Sequence, residues 1–387
     1  MKKIILSALL LLSLLAFVAC GNKAAVNTET AAAEGDTAVT EIAQETKSKK
    51  DSFELALVTD LGTIDDKSFN QGAWEGLKKY ADEKGITYKY YQPQEAGTNA
   101  YLETIELAVE GGAKLVVCPG FLFEEPVYLA QEKFPDVHFV LLDGTPHNAD
   151  YSDFKTGNNT MPILYEEDQA GFLAGYAAVK DGNTKLGFMG GMAVPSVIRF
   201  GLGFVQGVDA AAKELNVNCD VQYNYTGQFA ATPEAQAMAA SWYNSGTEVV
   251  FGCGGAVGNS VMAAAEGKNQ QEGKFVAKVI GVDVDQYSES DTVITSAMKM
   301  LANSVYDAVT FYYDNSFKGG ETTTFNVNNN GVGIAIDNAR FDSFSRADYD
   351  ELYKKVQNNE FTISNEAEEA NPAVALKLEK TTVKFIE

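Results

Sequence analysis

Several short stretches hold side chains of the kinds that grip a polar ligand around an aromatic ring. Thr59-Asp60-Leu61-Gly62 closes a first apolar run, and Asp65-Asp66-Lys67-Ser68-Phe69-Asn70 leads from it into a helical pattern. A carboxylate, an aromatic face and an amide at the first turn of a helix bring together acceptance, stacking and directional hydrogen bonds. Leu141-Leu142-Asp143-Gly144 puts a second carboxylate after a later apolar run. Pro195–Phe200, Gly227-Gln228-Phe229, the loop Gly252–Gly258 around Gly255, and Gly281-Val282-Asp283 follow further strand-like runs. Asp66 or Ser68 could equally cap the helix, a structural role worth about 1 kcal/mol, and Phe69 could be ordinary core.

Other chemistries find less support. The glycines from Gly252 allow close backbone approach. Val257, however, stands where a dinucleotide fingerprint needs its last glycine, and neither a P-loop lysine nor its hydroxyl follows. His138 and His147 are the two imidazoles, and no nucleophile–base pair or metal cluster stands out, so the sequence predicts a binder without a cofactor and not an enzyme. Cys118, Cys219 and Cys253 are far apart without paired metal spacing and read as buried thiols.

The elements that position these groups alternate. Phe53–Thr59, Thr87–Tyr91, Lys114–Cys118 and His138–Leu142 look like buried parallel strands, with helical spacing over Ser68–Lys84, Asn99–Glu110 and Glu124–Lys133. A second series has strands near Lys185–Met189, Asp220–Tyr225, Glu248–Phe251 and Val276–Val282, and helices near Ser196–Leu215, Pro233–Ser245 and Asn259–Glu266. This predicts an α/β fold of two doubly wound lobes, with ligand bound in a cleft at the carboxyl ends of their strands. Trp74, Trp242 and the helical spacing over Ala302–Phe317 read as packing.

The amino terminus reads differently. Lys2 and Lys3, an apolar run from Ile4 to Val18, and Ala19 before Cys20 describe a secretory signal peptide over 1–19. Phe17-Val18-Ala19-Cys20 resembles a bacterial lipobox with Phe in place of the usual Leu, which makes Cys20 the lipid-attachment residue. Residues 20–52 read as a flexible linker with a span of roughly 30 Å. The body is expected as lobe 1 over 53–163 plus about 300–325, and lobe 2 over 164–299 plus about 326–387. A formal charge of -23 argues against nucleic acid or anionic lipid surfaces as partners, leaving the lipid anchor as the membrane contact.

The segment Leu57-Val58-Thr59-Asp60 through Asp65–Gly76 resembles the amino-terminal signature of the basic membrane protein family. Tyr165–Gly175, Gly190-Gly191 with Pro195–Gly207, Gly281-Val282-Asp283 and Thr295–Lys299 resemble further blocks in the family order. The resemblance implies a type I periplasmic-binding-protein fold and the role of a substrate-binding lipoprotein of an ABC importer for nucleosides. It would sit at the extracytoplasmic face of a bacterial cell membrane, with permease and ATPase subunits as partners. It further implies a purine base between aromatics of opposite lobes. Phe69 is then the stacking residue of the first lobe, with Asp60 and Asn70 beside it and Asp143, Asp283 and Lys299 completing the polar set. Phe229 or Phe200 is the second aromatic, with Phe229 preferred. Lys299 also has a plain reading as a solvated strand-end lysine. The resemblance leaves room for a sugar receptor of the same fold or a surface antigen without transport.

Overall fold

Leu55–Val58 is a run of four apolar residues, each with no exposed surface, as expected of a strand flanked by neighbours and covered on both faces. It is β1 of the computed structural model, which describes residues 52–366 and 368–386. The expected signal peptide, Cys20 and the linker up to residue 51 lie outside the described residues.

The chain continues through α1 (Phe69–Lys84), β2 (Tyr88–Tyr91), α2 (Thr98–Glu110), β3 (Leu115–Pro119), α3 (Glu124–Lys133), β4 (His138–Leu142) and β5 (Thr160–Tyr165). Next come α4 (Glu167–Lys180), β6 (Lys185–Gly190), α5 (Pro195–Leu215), β7 (Cys219–Tyr225), α6 (Pro233–Asn244), β8 (Val249–Cys253), α7 (Val257–Glu272), β9 (Lys278–Asp283) and β10 (Val293–Lys299). The last stretch holds α8 (Leu301–Tyr313), β11 (Thr323–Phe325), β12 (Val332–Ile334), α9 (Arg346–Gln357), α10 (Pro372–Ala375) and β13 (Thr381–Phe385).

Two sheets result. One has the order β11-β5-β4-β3-β1-β2, the other β12-β10-β9-β8-β6-β7-β13. Every pairing is parallel except that of β10 with β12. The chain passes from one sheet to the other three times: between β5 and β6, between β10 and β11, and between β11 and β12. The carboxyl ends of strands from both sheets meet, Lys299 at the end of β10 contacting Asp143 after β4.

The packing of α4 on α5 fixes one of these crossings. A Cβ on Gly171 would lie 2.1 Å from the Phe200 carbonyl oxygen, and one on Gly203 would lie 2.0 Å from that of Asp168. Backbone therefore touches backbone, which only glycine permits. One helical turn before these glycines stand Glu167 and Arg199, so the contact brings their side chains together. Trp242 is core as expected, whereas Trp74 is half-buried against Tyr88 and Tyr90.

Candidate ligand-binding cleft

A cavity of about 690 Å³ opens between the carboxyl ends of the two sheets. Asp60, Phe69, Asn70, Asp143, Phe200, Phe229, Gly255, Asp283 and Lys299 all line it. The fold thus gathers every cleft residue singled out in the sequence.

The first wall is organised by Asp66. Its Oδ1 accepts the N–H groups of Ser68 at 2.9 Å and Gln71 at 3.1 Å, and its Oδ2 accepts the N–H of Asn70 at 3.0 Å. Asp66 therefore caps α1, although Ser68 occupies the N-cap position and its own side chain makes no cap. The Ser68 hydroxyl instead donates to Asp283 Oδ2 at 2.5 Å, across to the second sheet. With the turn held this way, Phe69 and Asn70 start the helix at the cleft. Asn70 donates to Asp60 Oδ1 at 2.9 Å and to Asp66 Oδ2 at 3.1 Å. Burial raises the Asp66 pKa even though three backbone N–H groups favour its charged form.

The second wall is shaped by what is missing. A Cβ on Gly191 would lie 2.4 Å from Cδ1 of the Phe229 ring, and one on Gly254 would lie 3.0 Å from the same atom. Gly254 and Gly255 have φ of 114° and 52°, values that favour glycine. The Phe229 carbonyl accepts the N–H of Ala256 at 2.8 Å. The glycines seat an aromatic ring, which accounts for a run that carries no phosphate-loop pattern. Phe200 is buried, packed edge-on to Phe251, and touches the cleft from beneath.

Between the walls lies Lys299, the last residue of β10. Its ammonium stands 2.5 Å from Asp143 Oδ2, 3.4 Å from Glu167 Oε1 and 3.7 Å from Asp283 Oδ1. It also lies 4.5 Å from the centroid of the Phe69 ring. Its side chain is 2% exposed, so the reading as a solvated lysine is corrected. Burial works against its charge, but the surrounding carboxylates outweigh that and raise its pKa. Burial likewise pushes the Asp143 and Asp283 carboxyls up, against the attraction of Lys299. Glu167 reaches Arg199 Nε at 2.6 Å through its other oxygen.

Asp143 and Asp283 are counterparts. Asp143 directly follows β4 in one sheet and Asp283 ends β9 in the other, and each has a left-handed backbone, with φ of 58° and 67°. Such a conformation is uncommon for residues other than glycine, though tolerated by Asp. It turns both carboxyls toward Lys299. Asp143 Oδ1 and Asn70 Oδ1 remain buried without a hydrogen-bond partner.

Sequence reasoning missed three members. Tyr101 of α2 lines the cavity with a buried, unpartnered hydroxyl whose pKa burial pushes up to about 12. Its helical spacing marked it only as core. Glu167 has no exposed surface and owes its place to Arg199, a partner 32 residues away. Cys253 lines the cavity as a buried free thiol, and Cys118 and Cys219 are also buried and free.

The model of the Bmp family, ABC transporter substrate-binding protein PnrA-like, matches residues 53–368. The chain belongs to this family. A Bmp relative from Lactococcus lactis subsp. cremoris, named ABC transporter nucleoside-binding protein BmpA, is 33% identical over 306 residues, covering 75% of this chain and 83% of its own. A second, from Listeria monocytogenes and named CD4+ T-cell-stimulating antigen, is 31% identical over 304 residues, covering 75% and 81%. Among solved structures, an ABC transporter solute-binding protein from Aeropyrum pernix superposes with a TM-score of 0.71 at 20% identity, covering 84% of this chain and 96% of its own. That likeness is one of fold: an α/β protein with parallel sheets of the type I periplasmic solute-binding class. Bmp proteins are extracytoplasmic substrate-binding proteins, a role that implies a small ligand and permease and ATPase partners. Among the described residues, no helix is long and apolar enough to cross a membrane.

Proposed function

We propose that this chain binds a purine nucleoside in the cleft and delivers it to an ABC permease, tethered to the membrane by lipid on Cys20. The observation that carries the reading is the pair of aromatic walls, Phe69 on one lobe and Phe229 on the other, lining one cavity whose remaining polar groups are chiefly acceptors. Stacking suits a flat heterocycle and is worth about 1–3 kcal/mol per base. Ribose hydroxyls are donors, and Asp143 Oδ1 is a buried acceptor that lacks one. In this reading Lys299 aims Asp143 and Asp283 at the pentose, and Asp60 and Asn70 take the base edge.

Closure follows from the same division. A ligand that touches both lobes binds the shut form more tightly than the open one and shifts the balance toward it by that difference. The first lobe keeps the whole of β5, so the expected boundary at 163 moves to Tyr165, and the lobes run over 53–165 with about 300–325, and over 166–299 with about 326–387.

Nucleotides should be excluded. Asp60, Asp65, Asp66, Asp143 and Asp283 line the cavity, while Lys299 is already surrounded by carboxylates. A thermal-shift screen followed by titration calorimetry tests the reading, since a ligand that binds only the folded state raises the melting temperature. Adenosine, guanosine or inosine should raise it, and the matching monophosphate should bind about 100-fold more weakly. A shift by sugars and none by nucleosides would replace the nucleoside with a saccharide.

A further inference from the structure

Asn70 is 4% exposed, lines the cavity and has one unused polar atom, its carbonyl oxygen. The orientation of a side-chain amide must be deduced from its neighbours, and here they leave one solution. The nitrogen lies 2.9 Å from Asp60 Oδ1 and 3.1 Å from Asp66 Oδ2. Carboxylates accept and do not donate, so a flipped amide would press its oxygen against two others. Both amide hydrogens are therefore spent on protein.

Neither carboxylate is free to turn away. Asp66 is pinned by the N–H groups of Ser68, Asn70 and Gln71, and Asp60 Oδ1 accepts the Gly62 N–H at 2.7 Å. We propose that Asp66, together with Asp60, is a positioning residue that locks the Asn70 amide with its oxygen in the cleft, so that the site accepts only bases presenting an N–H donor on that edge. The inference rests on the nucleoside reading above and names the class of base within it. Adenosine offers its 6-amino group, inosine its N1–H, and guanosine N1–H with its 2-amino group. Purine riboside has the same ring system and sugar but no donor on that edge. A buried acceptor left unmet penalises such an analogue heavily.

The test is calorimetric titration of the protein with adenosine, inosine, guanosine and purine riboside. The tightest of the first three should exceed purine riboside by about 100-fold. Purine riboside within about fivefold of the best natural nucleoside would overturn the proposal while leaving the nucleoside reading intact. Binding of none of the four would instead remove the nucleoside reading. Asp66→Asn separates positioning from capping: the ratio should fall about tenfold because the donor-bearing ligands lose most. Equal weakening of all four ligands beside a lower melting temperature would mean that Asp66 only caps the helix. Asp60→Ala removes the Oδ1 acceptor, caps no helix and should lower the same ratio without that loss of stability. An unchanged ratio in both variants would overturn the proposal.

Discussion

The two aromatic walls of the cleft are built by opposite means. Phe69 is held by added chemistry, a helix turn tied down by Asp66 and linked through Ser68 to Asp283 on the other sheet. Phe229 is held by subtraction, its ring lying where Gly191 and Gly254 have no side chains. Polar ties resist small substitutions near the ring but fail when a partner is removed. A glycine seat has nothing to remove and fails when an atom is added. Lys299 joins the two by holding an aspartate from each sheet.

The joint should be the most sensitive point. Lys299→Met leaves Asp143, Glu167 and Asp283 buried with one cation, Arg199, nearby, and urea unfolding should show a loss of about 3–5 kcal/mol. A smaller loss would mean that water reaches the cluster and that the walls are joined elsewhere.

Removing a wall comes next. Phe69→Ala should weaken nucleoside binding by about 10–100-fold, the worth of one stacking face. The half-buried ring should cost much less in stability. An unchanged dissociation constant would mean that Phe69 is not part of the site.

The seat can be probed by addition. Gly191→Ala would put a Cβ 2.4 Å from the Phe229 ring, and calorimetry should show binding weakened about tenfold as the ring shifts. Unaltered affinity would mean that Phe229 does not bear on the ligand.

The smallest effect concerns pH and the α4–α5 contact. Burial, reinforced by Glu167 and Glu166, pushes Asp168 up to about 7. A raised carboxyl favours the protonated folded form, so its stabilisation is complete below the unfolded value of about 4 and is lost as pH rises through about 7. Asp168→Asn removes that dependence. Its melting temperature relative to the unmodified protein should rise by about 3 °C between pH 5 and pH 8.

How much of this was legible in the sequence depended on where each signal lay. The strands β1, β3, β4, β6, β8 and β9 announce themselves as apolar runs, and the cleft residues follow because ligands gather at strand ends. β7 alternates polar and apolar residues, and β2, expected as a buried strand, is a partly exposed edge strand. The crossing elements were harder. β5 carries Pro162, and α4 buries 12 of its 14 residues, so it lacks the polar stripe that marks a surface helix. β11 and β12 have three residues each, and β13 alternates polar residues on an exposed edge. At the site, Asp66 and Ser68 could both be read as caps, and only the fold separates them, since Ser68 turns to a partner 215 residues away. Glu167 gave no local sign for the same reason.

The most direct measurement is a crystal structure of the protein grown with excess adenosine or guanosine. The base should lie between Phe69 and Phe229, the pentose against Asp143 and Asp283, and the base edge toward Asp60 and Asn70. An empty cleft, or a nucleoside lodged away from both rings, would contradict that arrangement.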